Sequence, residues 1–334
     1  EMFSHRIDCS HHYPRSGWVE QDPARWLDCI MTIAGMAGQH CSPQIIKAIG
    51  ICSQVNTHIF VDERGVPVRN AIIWQDVRCA GVAEELQAKA VARGLDASID
   101  ASSLLSRAAW VQQHEPEVWR RTRWILSPKD YCVLQLTGIP SADLLTSFEL
   151  VDAEGNYDDE KLAFVDGLAE RLPGLQPVTA VTGTCSHPDL PFHCPVVVGT
   201  MDAWAALYGS GSVSPGQGFQ VSGTSEIIGL TSDMHIPTPG IVSFIPHDGV
   251  HLHAGPTQAG GDALAWFASA LETDIETMLQ AARQPAAPDQ PLLFLPHLMG
   301  ERAPLWDSTA RGTFCGLTKR HSRNDMALAV LEGV

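Results

Sequence analysis

Asp202 stands within the stretch VVVGTMDAWAALYGSG, after an apolar run and before a helical pattern from Ala203 to Leu207. Val196, Val197 and Val198 read as a short buried strand bounded by Pro195 and Gly199. A carboxylate just beyond a strand's carboxyl end sits where open α/β sheets put their ligands, and there it can take a proton from a substrate hydroxyl. The same residue at a helix start is also an ordinary N-cap. Downstream, Gly223-Thr224-Ser225 joins two strand-like runs, Phe219 to Ser222 and Glu226 to Leu230. A glycine there lets backbone amides approach a phosphate, and the hydroxyls add donors; a plain hairpin turn explains the triplet as well. In AIIWQDVRC, Trp74, Asp76 and Arg78 follow a strand and offer an indole platform, an acceptor and a donor. That mixture suits a polyhydroxylated ligand, and a helix start stabilised by an ion pair is the competing explanation. His251 and His253 alternate on one strand face, but no third ligand at a sensible spacing supports a zinc site.

The elements that must position these residues alternate between strand and helix, so the class is α/β. Asp22-Pro23 predicts a helix start, and Ser127-Pro128 another that ends at Thr137-Gly138. Residues 46–52, 58–62 and 68–74 read as strands, and helices are expected from Asp76 to near Gly94, from Asp100 through Val111, and over 160–172. A connector rich in Pro, Gly and Thr follows at 173–195. Beyond it come strands at 241–244 and 251–254, helices over 262–271 and 274–283, a buried strand at 292–296, and a last helix from Asn324. The domain break is placed after the GSG at 209–211, giving domains 1–211 and 212–334.

Composition narrows the function classes. The chain has 334 residues, enough for two domains, and 45% hydrophobic content to build their cores. A net charge of −16 argues against a nucleic-acid partner, because a phosphate backbone rewards lysine and arginine. Nine scattered cysteines with no CxxC pair suggest reduced thiols and a cytoplasmic protein, and no apolar run is long enough to predict a membrane span. The Walker pattern, GxGxxG after the first strand, GxSxG and CGxCW are all missing, which excludes several nucleotide and hydrolase classes.

Taken together, the chain resembles the FGGY family of carbohydrate kinases. The likeness runs through GWVEQDPARW (17–26), AIIWQDVR (71–78), PKDYCVLQLTG (128–138), the Asp202 stretch, SGTSE, and FLPHLMGERAPLWDSTARG (294–312). The family's second signature is met in full by GTFCGLTKRHSRNDMALAVLE, from Gly312 to Glu332. The first is met in part: Ser102, Trp110, Val111, Gln113 and His114 fit, but Leu104 replaces a small residue or proline, and Arg107 replaces the usual lysine.

The resemblance implies two actin-like, ribonuclease-H-type α/β domains with a cleft between them, sugar mainly against the first and ATP mainly on the second. Asp202 then matches the family's general base, acting beside a nucleotide-bound Mg2+ that it contacts indirectly. Gly223, Thr224 and Gly261 match nucleotide-binding positions. At the sugar site, Gln54, Val55 and Asn56 of SQVNT replace the GQMHG or NQRET of family members that act on pentuloses or on glycerol. Together with Trp74, Asp76 and Arg78 they form the expected sugar-binding set. The expected reaction is ATP-dependent phosphorylation of a small sugar, a ketopentose such as xylulose first. The alternatives are a polyol or other sugar, a noncatalytic sugar-binding relative, or another actin-like ATPase. The chain starts after the family's DxGT hairpin and stops before its adenine-binding segment, so both domains are expected to be incomplete, and the unpaired sheet edges to favour association, possible as a homodimer.

Overall fold

Asp22 caps the first helix as its position predicts: its carboxylate accepts from the Ala24 N–H at 3.0 Å, and Pro23 occupies the first turn. A computed structural model describes all residues except 1, 2, 96, 97, 153, 186, 188, 189, 191, 288 and 308; four of these fall in the 173–195 connector. The chain divides into two compact units, Glu1–Ala206 and Leu207–Val334, with the boundary inside one helix.

The first unit contains β1 (Glu20–Gln21), α1 (Pro23–His40), β2 (Cys52–Ser53), β3 (Ile59–Val61), β4 (Ala71–Ile72), α2 (Ala80–Ala92), α3 (Leu104–His114), α4 (Pro116–Arg121), β5 (Trp124–Leu126) and α5 (Pro128–Thr137). It continues with β6 (Ala142–Asp143), α6 (Asp159–Leu162), β7 (Leu175–Gln176), β8 (Val181–Thr184), β9 (Pro195–Val197) and β10 (Thr200–Met201), then enters α7 (Asp202–Ser210). Its strands pair two by two: β1 with β4, β3 with β5 and β8 with β9 antiparallel, β2 with β10 and β6 with β7 parallel. Helix α5 starts at the Ser127 cap and stops at Gly138, whose φ of +74° suits a glycine. Helix α3 is buried all round from Leu105 through Val111, with Leu105, Ala108, Ala109 and Val111 in one core with α2, while Val133 and Leu136 of α5 pack with Ala34 of α1.

The second unit holds β11 (Gly218–Ser222), β12 (Glu226–Ser232), β13 (Val242–Ser243), β14 (His251–Pro256), α8 (Gly261–Ala270), α9 (Ile275–Ala282), β15 (Leu293–Leu295), β16 (Thr313–Cys315) and α10 (Arg323–Gly333). A four-stranded antiparallel sheet has the order β11-β12-β14-β13. Helices α8, α9 and α10 close a separate core around Phe267, Met278, Phe294 and Val330. Ser322 and Asp325 form a reciprocal capping box at the start of α10, which holds the Asp325 carboxyl well below the usual carboxylate range.

Several expectations need correction. The helices expected from Asp76 and Asp100 begin only at Ala80 and Leu104, and the strands expected at 46–52 and 68–74 reduce to Cys52–Ser53 and Ala71–Ile72. Residues 160–172 are not one helix: α6 ends at Leu162, and Gly167, at φ +75°, breaks the chain before a 3-10 turn over Ala169–Arg171. Leu162, Val165, Leu168 and Leu172 still enter the core, so a compact loop satisfies the helical spacing. The strand at 292–296 is covered on one face only: Phe294 is buried, whereas Leu293 and Leu295 are exposed.

Candidate active site

Asp202 lies at the carboxyl end of β10, and β10 runs parallel to β2 with Thr200 opposite Cys52 and Met201 opposite Ser53. The next residues on the β2 side are Gln54, Val55 and Asn56. Strand pairing therefore sends the candidate base and the chain that carries three candidate sugar contacts off the same end of the β2–β10 ladder. Gly199 makes the entry to β10 possible: its φ is +72°, and a Cβ there would lie 2.0 Å from the Ile51 carbonyl oxygen. Only glycine fits that approach. Asp202 opens α7, and its Oδ1 accepts from the Ala203 N–H at 2.8 Å. The residue is exposed, yet the atoms packed around its carboxyl desolvate it and raise its pKa, against the pull of the backbone hydrogen bonds.

The 54–56 loop is held from below. Gln54 Nε2 donates to Gln21 Oε1 at 3.1 Å, and Asn56 Nδ2 donates to Ser102 Oγ at 3.0 Å. Asn56 adopts a φ of +54°, a left-handed conformation that asparagine tolerates better than most residues. Its carbonyl is gripped by Arg107, which also donates to the Ile72 and Ile73 carbonyls at 2.8 and 2.6 Å. Arg107 is fully buried, and burial pulls its pKa down to about 10. The residue noted as a departure from the family signature is thus a bracket between the sugar loop and the end of β4. Trp74 is tied to the same loop, since its backbone N–H donates to Thr57 Oγ1 at 3.2 Å; the residue is 40% exposed.

Asp76 and Arg78 are turned inward and committed to each other. Arg78 Nη2 lies 2.6 Å from Asp76 Oδ2 and 2.8 Å from Glu20 Oε1, and the Val19 N–H donates to Asp76 Oδ2 at 2.6 Å. The Arg78 guanidinium stacks over Trp18 at 3.9 Å. Both side chains are fully buried, so the described geometry gives this pair the ion-pair arrangement weighed against sugar contact.

In the second unit, Gly223, Thr224 and Gly261 form one local cluster. The Gly261 N–H donates to the Gly223 carbonyl at 2.8 Å, and the Asp262 N–H to the Thr224 carbonyl at 3.2 Å. The first turn of α8 is thereby docked against the β11–β12 turn, with its positive dipole end at the triplet. Arg302, which sequence reasoning did not single out, donates to Ser225 Oγ at 3.2 Å and to the Thr257 carbonyl, placing a guanidinium at the same turn.

Both ring nitrogens of His253 are engaged, by Ser232 Oγ at 2.9 Å and Ser243 Oγ at 2.9 Å. No group of three His, Cys, Asp or Glu side chains could hold a metal among the described residues. An open hollow of 640 Å³ lined by Arg64, Arg123 and Trp124 shares no residue with the candidate sets. No helix among the described residues is long and apolar enough to cross a membrane.

Comparison with known proteins matches this layout. Residues 2–209 match the N-terminal domain of the FGGY family of carbohydrate kinases, and residues 218–334 its C-terminal domain. The chain belongs to this family. Among curated relatives, a xylulose kinase of Escherichia coli (strain K12) is 31% identical over 96% of this chain and 69% of its own length. A gluconokinase of Bacillus subtilis (strain 168) is 28% identical over 96% of this chain and 68% of its own length. The crystal structure of a xyloylose kinase from Brucella ovis superposes with a TM-score of 0.86 at 26% identity, covering 98% of this chain and 70% of that one. The FGGY kinase fold, an α/β arrangement of two actin-like domains, is therefore this chain's fold.

Proposed function

We propose that this protein transfers the γ-phosphoryl group of ATP to a hydroxyl of a small sugar, a ketopentose such as xylulose, with Asp202 as general base. The observation that carries the reading is the parallel pairing of β10 with β2, which sends Asp202 and the Gln54–Asn56 loop off the same end of the ladder. The desolvated carboxylate of Asp202 takes the hydroxyl proton as the sugar oxygen attacks phosphorus. Gln54, Val55 and Asn56 orient the sugar while Trp74 supports its apolar face. Gly223, Thr224 and Gly261 cradle the nucleotide phosphates, and Arg302 adds positive charge beside them.

The residues fit a magnesium ion carried in by the nucleotide. Asp202 offers an exposed hard oxygen donor, and no three-carboxylate cage exists among the described residues. Magnesium keeps most of its waters and takes few protein ligands, so phosphate oxygens and water would complete its shell, with Asp202 reaching it indirectly. Bound there, the ion would neutralise charge building on the transferring group.

The likeness to the xylulose kinase sets xylulose first in a substrate panel, and the likeness to the gluconokinase sets gluconate beside it. Coupled ADP release with Mg-ATP across pentuloses, polyols and sugar acids is the test. Turnover on one of them, lost in Asp202→Asn, is expected. Sugar binding without turnover would instead identify a noncatalytic relative.

A further inference from the structure

Lys129 and Asp143 are both fully buried, with Lys129 Nζ 2.8 Å from Asp143 Oδ2 and paired on its other side with Asp130. Burial opposes the lysine's charge, but the two carboxylates outweigh it and raise its pKa, so the ammonium stays charged. The other oxygen of Asp143, Oδ1, accepts the Thr200 hydroxyl at 3.1 Å and the Thr146 N–H at 3.0 Å. Thr200 is the first residue of β10, two positions before Asp202. The backbone N–H of Lys129 meanwhile donates to Ser53 Oγ at 3.1 Å, at the end of β2. One helix start thus holds the last steps of both strands that lead to the candidate site.

We propose that the buried Lys129–Asp143 pair, acting through the Thr200 hydroxyl, is a positioning device that fixes where the Asp202 carboxylate stands. The inference rests on the reading of Asp202 as the base. Strands β2 and β10 pair over two residues each, so few ladder hydrogen bonds hold their ends in register. Burying three charges is a poor route to stability, since apolar side chains of similar volume do as well or better. What an ion pair in a dry interior supplies is direction: the lysine fixes the Asp143 carboxylate, which then presents one oxygen to Thr200. A displacement of about 1 Å in a reacting group costs on the order of 100-fold in rate, so a tether two residues from the base matters. The pair acts on where Asp202 stands; burial and the backbone hydrogen bonds at its carboxyl are what shift its pKa.

Cys52, exposed and opposite Thr200, provides a reporter that needs no turnover: its thiol pKa is raised by burial and then by the charge of Asp202. The experiment compares Thr200→Val, which deletes only the hydroxyl at nearly constant volume, with Thr200→Ser, which keeps it, and with Asp202→Asn. Cys52 is followed by site-resolved iodoacetamide labelling against pH, and kcat and KM by coupled ADP release. Thr200→Val is expected to lower the Cys52 pKa toward that of Asp202→Asn and to cut kcat by roughly tenfold or more with KM for ATP unchanged. Thr200→Ser is expected to restore both. A Cys52 titration in Thr200→Val that matches wild type overturns the proposal whatever the turnover. Failure of the underlying reading shows separately, as full turnover in Asp202→Asn.

Discussion

The backbone N–H of Gly261 donates to the carbonyl of Gly223 at 2.8 Å, and a Cβ added at Gly261 would stand 2.7 Å from that same oxygen. The first turn of α8 and the Gly223-Thr224-Ser225 turn therefore meet through backbone alone. Gly261→Ala is predicted to push them apart at a cost of about 1–3 kcal/mol, the usual range for overpacking. KM for ATP should rise several-fold while sugar affinity holds. Nucleotide and sugar titrations by calorimetry check this, and equal ATP affinity in the variant would show that the turn does not contact nucleotide.

Asp202→Asn keeps the shape of the side chain and removes its basicity. Losing a general base lowers kcat by about 10²–10⁴-fold. The raised pKa of the Asp202 carboxyl also has a pH signature, because the base works only when ionised. The acid limb of the kcat/KM profile, which reports the free enzyme, should fall at a pH above the ordinary carboxylate range, and the variant should lack that limb. A wild-type rate that stays flat into the ordinary aspartate range would remove Asp202 from the role.

Arg107→Lys tests the bracket under the sugar loop. One ammonium cannot replace a planar fork that serves the carbonyls of Asn56, Ile72 and Ile73 together. Leaving buried carbonyls unpaired costs about 1–3 kcal/mol, which urea denaturation resolves. Sugar affinity should drop as well, since the left-handed Asn56 loses its anchor. Unchanged stability with unchanged sugar binding would mean that lysine reaches the same partners.

Glu149 gives a pH dependence of stability. Burial, reinforced by the charge of Asp100, pushes its carboxyl up to about 7. It borders a small cavity shared with Asn56, His58 and Asp130. The folded pKa lies above the unfolded one, so the folded state binds the proton more tightly. Its contribution to stability is complete below the ordinary glutamate pKa and is lost as pH rises toward about 7. Melting temperature should therefore fall over that window in the wild type, and Glu149→Gln should flatten the slope. Parallel slopes in calorimetric scans of the two proteins would contradict the assignment.

Local chemistry made much of the fold legible. Asp22-Pro23, Ser127-Pro128 with Gly138, and Asp274 cap helices where the chain order suggests, because a cap needs only its own neighbours, whereas Asp76 and Asp100 fall short of the helices expected to open at them. Periodicity was less informative where packing could imitate it. Leu162, Val165, Leu168 and Leu172 keep a helical spacing, but Gly167 turns left-handed between them and the core takes them from a loop. The apolar run of β15 gave no sign of which face is covered, since that depends on α10 and the partner strand β16.

The candidate site divides along the same line. The sequence by itself determined that Asp202 sits between a strand and a helix, that Gly223-Thr224-Ser225 joins two strands, and, through the signature from Gly312 to Glu332, which family this chain resembles. Only the tertiary structure decided which charges are spent. Arg78 closes on Asp76 and Glu20, Arg107 grips three carbonyls, and Asp143 reaches Thr200 across 57 positions. Those partners meet because strands and helices from distant parts of the chain pack at one place. A hydrogen bond between residues so far apart leaves no spacing in the sequence from which to read it.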